Sequence, residues 1–594
     1  RDRKLLTMSA PELPHKCLAW LLVSAFILTW GSIPAHAAPT TPSLASRIPG
    51  GAYTFIETSG LSKIISDVRG SELLDGFLQS EDFELLRKKK WFKQIESSTK
   101  TAEFVLRMSL WEASSKLLGG RMGFAVYPAE DGGDPEVTLL VRPAEPSEWL
   151  KQQVWSAPLL RVGLKRIERV AFGSEVAAYR TRGFNKEKAT YFALHNDWIA
   201  VSSTERLLKK TVVLQDPPGA KLEEAGSRIG DEAPYQRMTK RMGAAHLGRA
   251  FIDTQRVAKL AESAGPNFGL PEHINDPMLS LFLGGVSELL NNSKFAGFVL
   301  NLDGKQLRFA SGIDARPQDV DERYRIFFSQ NPSSGMQPLP EVGGLIGGFT
   351  LYRQFGSWYR KRGDVLKDSI IPGIEGFQGN IGDLLLGQTD ASGKSAIGDK
   401  IAFVTAMRSD AGAESNGAAL PGFAFVVDLA RPEEADKTMD SIFEAVLADI
   451  SHQNDEKFSW KHGEEKHLTE RIKFATTKTG GKTLIPAIAT VGDKLVVSSS
   501  RQLCRDLITL VKKDRGVVKG KDLVFHLRSA PLSSLLETNR QQYHAQLIRE
   551  GRSEKQALDD LKNIDNMLAM FSSLEGSTTS SNGIFEMNVR GKLK

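Results

Sequence analysis

Cysteine is nearly absent: the 594 residues hold two, Cys17 and Cys504. Cys17 opens the N-terminal apolar run, so the rest of the chain has one thiol and no intrachain disulfide. Stability must come from packing alone, which in an exported protein of this size suits a bacterial envelope better than a eukaryotic secretome. Cys504 falls among Leu503, Leu507, Ile508 and Val511 on an apolar helical pattern and reads as a buried, inert thiol. Long hydrophobic runs are missing too. The fourteen residues Cys17–Trp30 are the longest, short of the ~20 that a membrane-spanning helix needs.

Charge of one sign is also lacking. The chain has 77 basic and 71 acidic residues, and residues 1–37 account for four and two of them, leaving a formal charge of +4 beyond that segment. A nucleic-acid partner needs charge concentrated on one face, so the sequence pI near 9.0 does not argue for one. Two clusters mix cations with aromatics: Arg87 to Lys93 and Tyr352 to Arg362. Such patches suit anionic lipid headgroups or an envelope polymer, with rings in the interface and cations on phosphate. The alternative is a helix that buries its aromatics and solvates its charges.

The familiar catalytic motifs are missing. The sequence has no His-Glu-x-x-His, no Gly-x-Ser-x-Gly and no paired Cys-x-x-Cys. Gly387 to Ser395 resembles a phosphate-binding loop but has five residues between its glycines where the motif has four. Strand-like Ile401–Ala406 follows it, not the helix whose amides would cradle the anion, so it reads as a surface loop. His462, Glu464, Glu465 and His467 have ligand chemistry, but their spacing fits neither a helical pair nor a zinc knuckle. No metal and no cofactor are expected, and no catalytic residue is assigned. Gly373, Gly376, Gly379 and Gly382 recur every third residue in a run too short and proline-poor for collagen, which leaves a loop over a sheet edge.

What the chain does contain begins with an export signal. Lys16 precedes the apolar run, and Pro34-Ala35-His36-Ala37 supplies the small-x-small pattern of a signal peptidase site. Cleavage after Ala37 and a periplasmic or extracellular location follow. Retention of the segment as an anchor is the alternative.

The second feature is a repeat. FALHNDWIAVSSTERLLKKTVVL (192–214) and IATVGDKLVVSSSRQLCRDLITL (488–510) align without a gap, matching at Ala193/Ala489, Asp197/Asp493, Val201/Val497, Ser202/Ser498, Ser203/Ser499, Leu207/Leu503 and Leu214/Leu510. Both read as strand, tight turn, strand, helix, with Val201 and Val497 buried and the aspartates at the turns. Pro135–Glu148 likewise matches Pro421–Glu434 as a strand running into a helix. Asn301–Lys305 matches Asn588–Lys592 as a strand ending in a hairpin turn, and because the chain stops at Lys594 the second sheet is expected to lack one edge strand. An offset of about half the chain predicts two copies of one unit.

Amphipathic stripes predict helices at Pro432–Ile450 and Ser553–Leu574, the second burying Leu558, Leu561, Ile564, Leu568 and Phe571. Hairpins interrupted by single helices, without regular strand–helix alternation, predict an α+β fold whose antiparallel sheets are covered by amphipathic helices. The expected organisation is a signal peptide (1–37), a flexible segment (38–48), a first α+β unit (49–325), a Pro/Ser-rich linker (326–342) and a second unit (343–594).

An export signal, a small-residue start into a strand at Pro49–Phe55, and the duplicated hairpin ending in Asp-x-x-x-Val-Ser-Ser together resemble a family of exported bacterial proteins built on a domain of unknown function. The resemblance covers most of residues 49–511 and implies the fold but no activity. The function expected is therefore non-enzymatic, a binding or structural role in the envelope. The alternatives are a periplasmic carrier of a lipid or other apolar ligand, which needs an apolar concavity, and an envelope hydrolase, whose best hope is Asp197 and Asp493 brought together by folding. An aspartate in a tight turn usually serves local hydrogen bonding instead.

Overall fold

The structure, a computed structural model, describes residues 43–59, 81–88, 109, 112, 115–116, 120–129, 135–143, 167–170, 177–182, 189–215, 226–245, 247–264, 285–329, 336–361, 363, 396–408, 421–453, 459–479, 482–513, 516–581 and 584–594. The alternating patterns form strands. In the first half these are β1 (Thr54–Ser59), β2 (Arg121–Tyr127), β3 (Glu136–Arg142), β4 (Ile167–Val170), β5 (Ala177–Arg182), β6 (Ala189–His195), β7 (Trp198–Ser202), β8 (Gly248–Ile252), β9 (Ala296–Asp303) and β10 (Gln306–Ile313). The second half holds β11 (Leu345–Tyr352), β12 (Ile397–Met407), β13 (Pro421–Leu429), β14 (Lys461–His467), β15 (Glu470–Thr479), β16 (Lys482–Leu484), β17 (Ala487–Val491), β18 (Lys494–Ser498), β19 (Leu523–Arg528), β20 (Phe571–Ser581) and β21 (Ile584–Leu593). The helices used below are α1 (Glu81–Lys88), α2 (Glu205–Val213), α3 (Ala233–Met242), α4 (Thr254–Ala264), α5 (Val286–Asn291), α6 (Phe355–Arg360), α7 (Pro432–Gln453), α8 (Arg501–Lys512), α9 (Ser529–Thr538), α10 (Arg540–Arg549) and α11 (Glu554–Met570).

The fold is α+β, with antiparallel pairing between all the named strands. The first half runs β4-β5-β6-β7-β3-β2-β1-β8-β9-β10. The second runs β14-β15-β17-β18-β13-β12-β11-β19-β20-β21, the same order, with β16 hairpinned onto β15. The halves join where β10 pairs with β21, so one sheet crosses the molecule. In that seam Ala310, fifth in β10, faces Asn588, fifth in β21. Each half thus offers the same edge to the other about a local two-fold, as in an isologous dimer interface.

This changes the expected end of the chain. Asn588–Lys592 lies inside β21, and the second half has its edge strand. A short string match does not distinguish a strand's interior from its turn.

The repeated hairpin and helix are built by the same local bonds in both halves. Thr204 caps α2 by accepting from Leu207 N, and Ser500 caps α8 by accepting from Leu503 N. Ser203 N donates to Val137 O while its Oγ accepts from Val137 N, and Ser499 does the same with Phe423. Two Ser-Ser-Thr/Ser runs thereby clip each helix start to the neighbouring strand. Val201 and Val497 are half-buried, not buried; Ala200 and Val496 are the buried members, because strand parity turns them toward α2 and α8.

The cores follow the helices. In the first half α2, α3 and the 3-10 turn Leu44–Arg47 cover one face, enclosing Phe55, Leu140, Leu208, Met238 and Phe251. In the second, α8 covers one face through Leu503, Cys504, Leu507 and Ile508, and α7 the other through Met439, Ile442, Phe443 and Leu447. Burial pushes the Cys504 thiol up to about 12.

Segments read as flexible or linking prove packed where they are described. Leu44 and Ile48 are buried, and Glu57 holds that segment by accepting from Leu44 N (2.7 Å) and Ser43 Oγ (2.9 Å) while Arg249 lies at 3.4 Å. Phe327, Phe328 and Met336, within 326–342, are buried as well. α11 ends at Met570, before the expected Leu574, because Phe571 begins β20. Leu561, Leu568 and Phe571 are buried, whereas Leu558 and Ile564 are exposed.

A candidate anion-binding cleft

α3 starts with Pro234 in its first turn and ends at Gly243, whose φ of +77° is the left-handed region that favours glycine. Tyr235 and Met238 face the sheet, while Arg237, Lys240 and Arg241 fall on the opposite stripe. The last two sit in the final turn, where cations are favoured by the helix dipole. The helix comes close to β9 because Gly297 lies under it: a Cβ there would stand 2.5 Å from Met238 Sδ.

Beside α3 the chain folds twice over the ends of β9 and β10. Asp314 N donates to Phe295 O (2.9 Å) and Lys294 N to Asp314 O (3.3 Å). The following turn, Pro317–Asp319, is closed by Arg316, whose Nη2 and Nε donate to Asp319 (2.7 and 3.0 Å). That bond holds the Asp319 carboxyl below its usual range. Arg237 Nη2 stands 3.3 Å from Asp314 Oδ2, a buried oxygen without a hydrogen bond.

These elements and Ile584 of β21 enclose a cleft of about 740 Å³ at the seam between the halves. Among the described residues five cations line it, Arg237, Lys240, Arg241, Lys294 and Arg316, beside two carboxylates, Asp314 and Asp319. Both carboxylates already stand against arginines. Cations gathered along a concave wall concentrate a field that attracts anions.

The sequence candidates lie elsewhere. Asp197 and Asp493 occupy the β6–β7 and β17–β18 turns, thirteen strand steps apart along the sheet, so the fold does not pair them on neighbouring strands. Asp493 accepts from Lys494 Nζ at 2.9 Å. Of Arg87–Lys93, only Arg87 and Lys88 are described, at the end of α1, where Arg87 pairs with Glu84 at 3.3 Å. The surface reading of Tyr352–Arg362 is corrected. Tyr352, Phe355 and Trp358 are buried, the last two in separate cores, and Arg353 is 5% exposed. Arg353 Nη1 donates to Phe327 O (2.6 Å) and Tyr352 O (2.7 Å), and desolvation pulls its pKa down to about 10. These three rings went inward because α6 packs under the sheet, so they form no patch for lipid or polymer.

His462, Glu464, Glu465 and His467 lie on β14, and protein groups engage them: His462 stands 3.5 Å from Glu444, Glu464 accepts from Arg471, Glu465 from Arg505, and His467 bonds Thr509. Among the described residues no group of His, Cys, Asp and Glu is placed to hold a metal ion. Residues 1–42, Gly387–Ser395 and the glycines 373–382 lie outside the described residues. Sequence reasoning missed the cleft because its cations span residues 237–316 in separate short segments. The spacing of Arg237, Lys240 and Arg241 on an amphipathic pattern was the available signal.

No family model matches the chain, and no curated protein matches it. Two solved structures, crystal forms I and III of TP0453, match at 8% identity and TM-score 0.22, covering 46% of this chain and 80% and 81% of theirs. A likeness at that level carries no argument about fold or function.

Proposed function

We propose that this chain is an exported bacterial envelope protein that acts by binding, and that the basic cleft beside α3 receives an anionic ligand. Export rests on the pattern of Lys16, the apolar run to Trp30 and Ala35-x-Ala37. It predicts a mature N-terminus at Ala38, read by sequencing protein from the envelope fraction; an intact residue 17–30 segment contradicts it.

The observation that carries the binding role is the cationic lining of the cleft, where Lys240 and Lys294 stand beside two carboxylates already matched to Arg237 and Arg316. Carboxylates so engaged are occupied as positioning groups for the cations, which supports recognition over proton transfer. Fluorescently labelled inorganic polyphosphate is the probe. Binding is expected to saturate and to weaken as salt rises, because the ligand displaces small ions from the cleft. Lys240→Glu with Lys294→Glu should weaken it about tenfold or more, since each reversed charge acts at about 1 kcal/mol or above at contact distance. Unchanged affinity in a variant that melts normally rejects the cleft.

A further inference from the structure

The connection from β19 to β20 is a three-helix excursion, α9, α10 and α11, that encloses a second cavity of about 320 Å³. Leu532, Leu535, Leu536, Leu547, Leu561 and Leu568 form its wall, with Tyr543 and Ile564 at the open side. α9 and α11 share a small core of Leu536, Leu561 and Leu568. α10 buries none of its residues. Half-buried Leu547 packs it against that core, Arg540 Nη1 reaches Asp565 at 2.6 Å, and Arg552 Nε, just past its end, reaches Asp560 at 3.4 Å.

Among the described lining residues the polar groups are the Tyr543 hydroxyl, Gln546 and Glu550, the last two one turn apart, with Gln546 Nε2 donating to Glu550 at 2.9 Å. The glutamate keeps further acceptor capacity and a negative charge at the rim. A flat partner would leave the concavity empty. An engineered apolar cavity of roughly 150 Å³ holds benzene, so twice that volume matches a chain of roughly twelve carbons. A carboxylate head would meet Glu550, whereas a hydroxyl head could donate to it.

We propose that this cavity binds the single aliphatic chain of a neutral amphiphile whose head donates a hydrogen bond. It is separate from the basic cleft and from any ligand there.

Calorimetric titration of the full chain with monodecanoylglycerol and with decanoate tests it. Wild type should bind the glycerol ester saturably at one site and more tightly than decanoate. Ile564→Glu, at a position 40% exposed and therefore tolerant of charge, should weaken the ester at least about tenfold, the effect of placing an unpaired charge against apolar walls. Leu558→Glu, on the same helix, 50% exposed and outside the lining, should leave it within about twofold, as surface changes do. Glu550→Gln should strengthen decanoate about fivefold, one charge contact in water, and barely alter the ester. The proposal fails if neither ligand saturates, if Ile564→Glu and Leu558→Glu weaken binding equally, or if wild type prefers decanoate. It also fails if sedimentation shows a dimer that Ile564→Glu dissolves, because the occupant is then a second copy.

Discussion

The two halves share a strand order, and the same position within them is stabilised by opposite chemistry. In the first half Arg142 pairs across the sheet with Trp198, whose ring also carries Arg47, the guanidinium carbons lying 5.8 and 5.1 Å from its centroid. In the second half the corresponding pair is Asp428 and Lys494, in register on β13 and β18 and bonded at 3.0 Å. What stays constant is the backbone clip: the Thr204 and Ser500 caps and the Ser203 and Ser499 bridges. The frame depends on hydrogen bonds to the main chain, and the side chains at its strand ends are replaceable. A second difference is larger. Between α2 and β8 the first half inserts α3, with three of the cations of the cleft, while the described residues between α8 and β19 form no helix. The cations that line the cleft therefore come from one half only.

The strongest test of this comparison is Trp198→Ala. The ring is 5% exposed, and removing it should cost about 3–5 kcal/mol in chemical denaturation, the range for a buried tryptophan. Lys494→Met should cost less, about 2 kcal/mol, chiefly by stranding Asp428 in a buried site. Adding Asp428→Leu should then recover most of that loss, because a buried pair replaced by apolar groups is often near neutral. A double variant as unstable as Lys494→Met would show that the pair contributes beyond its mutual satisfaction.

The second half also carries carboxyls raised by burial, Asp399 and Asp428. Desolvation favours their neutral form, so their contribution to stability is whole below the ordinary value of 3.8 and is lost as pH rises through the raised folded values. Asp399→Asn removes one such loss. Its melting temperature relative to wild type should improve from about pH 4 to about pH 7, and a constant difference contradicts the assignment.

The smallest effect concerns the repeated turn. Asn196 and Asp197 both hold left-handed φ (+47° and +64°), whereas in the second half Gly492, opposite Asn196, does so at +60° and Asp493 does not. Asp197→Gly creates Asn-Gly, the pair best suited to a two-residue hairpin, and should stabilise by about 0.5 kcal/mol. Asp197→Asn should change stability by about 1 kcal/mol or less, the worth of one hydrogen bond.

The sequence showed what is local. Two 23-residue segments with matching Asp, Ser-Ser and Leu positions announced strand, turn, strand and helix, because turn and cap chemistry is read within a few residues. Strand order was not legible, since β10 and β21 meet over a separation of nearly 280 residues. Facing was misjudged for Val201 because both sides of β7 carry apolar residues. α11 was overextended because Phe571 continues the helical stripe while already belonging to β20. Tyr352, Phe355 and Trp358 looked available only because their covering layers come from elsewhere in the chain.

The central claim is that the half with α3 binds anions and its counterpart does not. Charge reversal placed in each half measures this directly, with labelled polyphosphate as the probe. Lys240→Glu with Lys294→Glu alters the cleft, and Lys513→Glu with Lys519→Glu alters exposed positions between α8 and β19 by the same net charge. The first pair should weaken binding about tenfold or more and the second by no more than about twofold, the difference between contact and screened distance. Equal weakening by both pairs, or by neither, contradicts the assignment of binding to the cleft.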